Sequence, residues 1–150
     1  ATTTGFRSEN FVSEDLSVIT QEVAENFSRR SGRAIDITSS GDSMRDIQSA
    51  AIERAISNLV DNAIKFSPEG TDIVITVDNG TVSVRDFGIG VREDDRDQLF
   101  ERFFRSVDTR NLPGSGIGLS IVEEIILRHG GQVFVKAPEN GPGTVVGFTL

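Results

Sequence analysis

The stretch from Ile73 to Asp86 constrains the fold more than any other part of the chain. Ile73, Ile75 and Val77 alternate with polar residues, Asn79-Gly80 follows, and Val82 and Val84 alternate on the return. Alternation with period two sets one face of each strand against apolar surface, and Asn-Gly tolerates the positive φ angles of a two-residue hairpin turn. Such a loop pairs Val77 with Val82, Ile75 with Val84 and Ile73 with Asp86. Asp86 therefore points to the apolar face. A carboxylate placed there must be paired or hydrogen-bonded, since burying it unsatisfied costs on the order of several kcal/mol. A structural salt bridge and a ligand-reading group both answer that need.

The apolar face of the hairpin needs a covering layer, and three helical patterns supply one. Ser13 as N-cap, with Glu14 and Asp15 after it and Leu16, Ile19, Val23 and Phe27 at helical spacing, predicts a helix from about Glu14 to Arg30. A second runs from about Ile47 to Phe66 and is stopped by Pro68 and Gly70. A third spans Gly116 to His129 and ends at Gly130-Gly131. Between the first two, Arg33 to Thr38 reads as a short strand and Ser39 to Asp42 as a turn. A last hairpin, Gln132 to Ala137 and Thr144 to Leu150, surrounds the turn-rich segment 138–143, PENGPG. The expected class is α+β, one domain over 1–150 without a linker, with helices on one face of a mixed sheet.

Composition removes several function classes. The 150 residues carry a formal net charge of -8, which argues against a nucleic-acid partner or an anionic membrane surface. With no cysteine and a single histidine, thiolate and histidine-cluster metal sites are excluded. No apolar run approaches the roughly 20 residues that span a bilayer. The strand-like ending at Leu150 predicts a piece of a longer protein.

On the second helix, Ile52, Ala55, Ile56, Leu59, Val60 and Ala63 form an apolar stripe, and Asn58, Asn62 and Lys65 fall at its edge beside Phe66. Amide oxygens suit a hard cation, the ammonium suits phosphate, and the ring offers a π surface. A solvated polar border would look the same.

Gly88 and Gly90 follow Asp86, and Gly114, Gly116 and Gly118 open the last helix, where free N–H groups can meet phosphate oxygens. Tight turns explain either run alone, and neither is a GxxxxGK[ST] loop or a GxGxxG fingerprint. Asp86-Phe87-Gly88 is not the mark of a eukaryotic-type protein kinase, because no HRD loop or VAIK lysine accompanies it. From Val91 to Pro113, eleven of twenty-three residues are charged, five of them Arg, with Phe100, Phe103 and Phe104 among them. So long an irregular stretch in a compact domain is functional or mobile.

In order, these features resemble the four boxes of the histidine-kinase catalytic domain, a branch of the gyrase, Hsp90, histidine kinase and MutL (GHKL) ATPase superfamily. The N box is Asn58 to Pro68 (NLVDNAIKFSP), the G1 box Asp86 to Gly90 (DFGIG), the F box Phe100 to Arg105 (FERFFR) and the G2 box Gly114 to Leu119 (GSGIGL). Four spaced motifs in the right order are far more specific than any one.

The resemblance implies the Bergerat fold: a two-layer α/β sandwich whose mixed, mostly antiparallel sheet of about five strands is covered on one face by about three helices, with an ATP lid over about 91–113. It implies that Asn62 holds the Mg²⁺ bridging the phosphates, that Asn58 supports it and that Lys65 faces a phosphate. Phe66 stands where the family has an aromatic residue near adenine, and Asp86 where its aspartate accepts from the adenine amino group. Gly88, Gly90, Gly114, Gly116, Gly118 and Leu119 would shape the pocket, and the lid's Arg102 and Arg105 would reach the triphosphate. With Asn58 and Lys65 these arginines form the implied catalytic set. The G1 box departs from the usual pattern at Phe87, where a polar residue is usual, and at Ile89, often proline. His129 reads as a helix-end residue complementing the dipole rather than a catalytic one.

The implied activity is transfer of the γ-phosphoryl group of ATP to a histidine on a separate dimerisation domain, and thence to a response-regulator aspartate. The phosphoacceptor domain is expected to lie outside this chain. A cytoplasmic domain, monomeric as a piece, is implied, within a homodimeric parent anchored in the bacterial inner membrane. ATP-hydrolysing clamps of the superfamily carry a glutamate four residues before the magnesium-binding asparagine. Asn58 stands there and cannot take a proton from water. An anti-sigma serine kinase shares that glutamate and lacks such a lid. A non-catalytic nucleotide-binding module remains as the alternative of another class.

Overall fold

The Ile73–Asp86 segment forms the expected hairpin at the centre of a five-stranded sheet. In this computed structural model, residues 10–96, 98–101 and 118–150 are described. Strands β4 (Ile73–Asp78) and β5 (Thr81–Asp86) pair Val77 with Val82 and Ile75 with Val84, and the ladder closes at Val74 with Arg85. Asn79 at φ 49° and Gly80 at φ 84° give the turn its two left-handed residues. With β2 (Ile35–Ser40), β6 (Gln132–Lys136) and β7 (Thr144–Thr149), the sheet order is β2-β4-β5-β7-β6, and β2 runs parallel to β4. The other pairings, including β6 with β7, are antiparallel.

Alternation along β4 and β5 buries Ile73, Ile75, Val77, Val82, Val84 and Asp86 on one face, and β7 adds Val146 and Phe148. The stripe of α2 (Ser49–Phe66) meets them: Ile52, Ala55, Ile56, Leu59, Val60 and Ala63 are all buried, as its spacing requires. Each fully buried Ile or Leu contributes roughly 1.5–3 kcal/mol relative to exposure. Helices α1 (Leu16–Ser31) and α4 (Gly118–Arg128) complete the layer through Leu16, Ile19 and Val23, and through Leu119, Val122, Ile125 and Ile126. Among the described residues no helix is long and apolar enough to cross a membrane.

Four expectations change. The helix read from Glu14 starts at Leu16, and its N-cap is Asp15 rather than Ser13; the Asp15 carboxylate accepts from the Ser17 N–H at 2.9 Å. Residues Val12–Asp15 instead form β1, antiparallel to β3 (Met44–Ile47), a two-stranded ribbon unforeseen in the chain. Ile47 pairs with Val12, which delays the start of α2 to Ser49. β2 begins at Ile35 and runs on to Ser40, because Ser39 and Ser40 find ladder partners in Val77 and Asp78. Within the stretch expected to be irregular, Glu93–Arg96 forms a short helix, α3, with three acidic residues in its first turn, where the helix dipole favours them.

Candidate functional site

Asp86 closes β5 and is 5% exposed, on the core side of the sheet as the hairpin register demands. Its Oδ1 accepts from the Gly88 N–H at 2.9 Å, and the backbone N–H of Thr144, its cross-strand partner on β7, also serves the carboxylate. Burial raises its pKa above the ordinary 3.8, opposed by these two backbone donors and by the Arg85 charge. Among the described residues no salt bridge is made to it. Arg85, on the opposite face, stacks its guanidinium on the Phe87 ring at 4.1 Å and donates to the carbonyls of Asn140 and Pro142. A charged carboxylate presents about four acceptor positions, so two N–H donors leave room for a ligand's donor.

Backbone approaches close around this aspartate. A Cβ on Gly88 would stand 2.1 Å from the Phe66 carbonyl oxygen, and one on Gly143 only 1.9 Å from that of Asp86. Glycine is required at both, and at Gly143 the φ of 112° adds to the need. Gly90, at φ 84°, lies against the Gly143 carbonyl.

On the polar edge of α2 the residues are less constrained. Asn58 is half-buried and its Nδ2 donates to the Gly118 carbonyl at 3.3 Å, tying α2 to the first residue of α4. Leu119 beside it is buried, and among the described residues nothing beyond the helix itself stands within 4 Å of where a Gly118 Cβ would be. Asn62 is half-buried one turn after Asn58, and among the described residues its side chain makes no hydrogen bond. Lys65 is exposed and pairs with Asp61 at 3.0 Å; Phe66 is half-buried at the helix end. The structure thus brings Phe66, Asp86 and Gly88 together and links Asn58 to Gly118. Arg102, Arg105, Gly114 and Gly116 lie outside the described residues.

His129 differs from its expected part. Its Nε2 accepts from the Gln48 N–H at 3.1 Å and its Nδ1 lies 2.8 Å from the Ile125 carbonyl. A carbonyl can only accept and a backbone N–H only donate, so the ring stands as the neutral Nδ1–H tautomer. It joins the end of α4 to the residue before α2 and places no positive charge on the dipole.

An acceptor buried beside closely approaching backbone, with hard-oxygen and ammonium groups one or two turns away, is a set suited to a purine nucleotide. Residues 47–150 match the family of histidine kinase-, DNA gyrase B- and HSP90-like ATPases. The chain belongs to this ATPase family. It is 42% identical over 105 residues to the signal transduction histidine-protein kinase/phosphatase MprB of Mycobacterium leprae, covering 65% of this chain and 20% of that protein. To the sensor histidine kinase WalK of Bacillus subtilis it is 36% identical over 113 residues, 70% of this chain and 18% of WalK. The chain thus spans about a fifth of these relatives. Among solved structures, the mycobacterial sensor histidine kinase MprB superposes with a TM-score of 0.79 at 33% identity, over 93% of this chain and 97% of that one. A nucleotide-free catalytic domain of the histidine kinase ThkA gives 0.78 at 28%, over 92% and 95%. These confirm the histidine-kinase catalytic fold of this ATPase domain.

Three contributors escaped sequence reasoning: Thr144, Arg85 and Ser67. Thr144 serves Asp86 only because β5 and β7 are neighbours, which the β6–β7 hairpin pattern does not reveal. Ser67 was visible inside the N box, though nothing in its spacing assigned it a partner.

Proposed function

We propose that this domain binds Mg-ATP between the C-terminal half of α2, the end of β5 and the start of α4. It donates the γ-phosphoryl group to a histidine on a separate helical dimerisation domain, and a response regulator receives it next. The observation that carries this reading is Asp86: a buried carboxylate held by backbone N–H groups, with acceptor capacity to spare. That arrangement suits the amino group of adenine. The matched relatives bear histidine-kinase names.

Asn62 would hold Mg²⁺ through its amide oxygen, and the ion would neutralise charge on the transferring phosphoryl group. Lys65 would turn from Asp61 to a phosphate, Phe66 would lie near the base, and Gly88 and Gly90 would form the wall beside it. Gly114, Gly116 and Gly118 would offer backbone N–H groups, and Arg102 and Arg105 would add charge from the lid. Asn58 cannot serve as a base for water, and its amide is already committed to Gly118. Transfer to a protein nucleophile is therefore favoured over hydrolysis. The whole of 1–150 serves as one catalytic domain, on the cytoplasmic side of a membrane-anchored homodimer.

The test is incubation with γ-labelled ATP, alone and with a histidine-bearing dimerisation domain. Label should appear on the added domain alone. Label on His129, or phosphate release without transfer, would overturn the reading.

A further inference from the structure

The turn that carries Asp86 is fastened to the end of α2 through a directed chain of hydroxyl groups. Ser67, 6% exposed, caps α2 by donating its N–H to the Ala63 carbonyl. Its Oγ accepts from the Phe87 N–H at 3.1 Å and lies 2.8 Å from Thr71 Oγ1. Thr71 Oγ1 in turn donates to the Pro68 carbonyl at 2.6 Å. The directions follow without ambiguity. The Pro68 carbonyl can only accept, so the Thr71 proton is spent there and Thr71 Oγ1 must accept from Ser67. The Ser67 proton therefore points to Thr71, which leaves its lone pairs facing the Phe87 N–H.

Arg33 locks this arrangement from below. Its Nη2 donates to Thr71 Oγ1 and to the carbonyls of Ser67, Pro68 and Thr71, and its Nη1 to the Ile64 carbonyl. These carbonyls belong to the last turn of α2 and the loop after it. One guanidinium thus orders the segment that presents Ser67.

The Phe87 N–H belongs to the peptide plane attached directly to the Asp86 Cα, and that plane is rigid. Fixing the N–H fixes the plane. The next N–H, of Gly88, returns to Asp86 Oδ1 at 2.9 Å. Two successive N–H groups thus anchor the turn in opposite senses, one outward to α2 and one inward to the carboxylate.

We infer that Ser67 is a positioning residue for base recognition: its hydroxyl, oriented by Thr71 and Arg33, fixes the Asp86-Phe87-Gly88 turn and so the aim of the Asp86 carboxylate. This rests on the reading of Asp86 given above. Ser67 touches no nucleotide in this scheme and acts through Asp86. Without its oxygen the Phe87 N–H is left partly buried with no partner, and the turn relaxes to satisfy it.

The test compares ATP and GTP affinities by calorimetry for the parent, Ser67→Ala, Ser67→Thr and Thr71→Val. Ser67→Ala should cut the preference for ATP over GTP by about five- to ten-fold, the worth of one hydrogen bond. Ser67→Thr, which keeps the hydroxyl, should restore most of it, and Thr71→Val should shift it the same way by less. A merely structural serine would lower thermal stability and leave the nucleotide ratio alone. A parent that prefers ATP beside a Ser67→Ala variant with the same preference overturns this inference and spares the functional reading. If Ser67→Ala does not fold, an unchanged ratio in Thr71→Val has the same force. A parent that binds no ATP overturns both.

Discussion

Asp86 and the Asn62–Lys65 edge of α2 belong to the two halves of the candidate site, and the fold holds them differently. Asp86 is buried, its carboxylate anchored by the N–H groups of Gly88 and Thr144 and its turn by Ser67. The Asn62 side chain makes no hydrogen bond among the described residues, and Lys65 spends its charge on Asp61 at a solvent-exposed pair. In the proposed function, the half that would read the base is fixed by its own backbone donors, whereas Asn62 and Lys65 would be turned to Mg²⁺ and phosphate by the nucleotide. Preorganisation favours selectivity, since little ordering remains to oppose the correct base.

The largest effect should follow from Asp86→Asn. The amide can present a donor or an acceptor, so ATP binding should weaken and the preference over GTP narrow. Loss of a buried charged acceptor's match is worth about 1–3 kcal/mol or more, roughly ten-fold to over a hundred-fold in affinity. Competition binding that showed undiminished discrimination would remove Asp86 from base recognition.

Asn62→Ala probes the other half. It should abolish the gain in ATP affinity that Mg²⁺ confers over chelator, at least about ten-fold in the parent, and leave adenosine binding unchanged. A loss of adenosine affinity would mean the two halves are not separable.

The pH dependence of stability is smaller, and its sign is fixed by burial. Below 3.8 the Asp86 carboxyl is protonated in both folded and unfolded chains, and its neutral form sits in the core without a charge penalty. As pH rises through the raised folded-state pKa, this contribution is lost. The parent should therefore lose stability relative to Asp86→Asn across that window and run level with it above. Denaturation midpoints at a series of pH values measure this, and a relative gain for the parent would contradict it. Smallest of all, Asp61→Asn should change stability by less than about 0.5 kcal/mol, because exposed i,i+4 pairs are weak. It should not reduce ATP affinity, since it frees Lys65 for phosphate; weaker binding would show that Asp61 itself contributes.

Much of this was legible from local pattern. The inward face of Asp86 follows from a two-residue turn and period-two counting, and the buried stripe of α2 follows from its 3.6-residue period. What stayed hidden depends on residues distant in sequence. Val12–Asp15 and Met44–Ile47 are four-residue strands without strong alternation, and they become strands only by pairing with each other. The cap moved from Ser13 to Asp15 for the same reason: Ser13 is engaged opposite Asp46. Arg33 and Thr71 lie in loops 38 residues apart, and the neutral His129 is set by Gln48 from 81 residues away. No periodicity encodes such meetings.

The contrast between the halves can be tested by amide chemical-shift mapping of the domain with adenosine and then with Mg-ATP. Adenosine alone should shift the amides of Phe87, Gly88 and Thr144, and only Mg-ATP should add shifts at Asn62 and Lys65. Adenosine shifts centred on Lys65, with Gly88 and Thr144 unmoved, would contradict the placement of the base at Asp86.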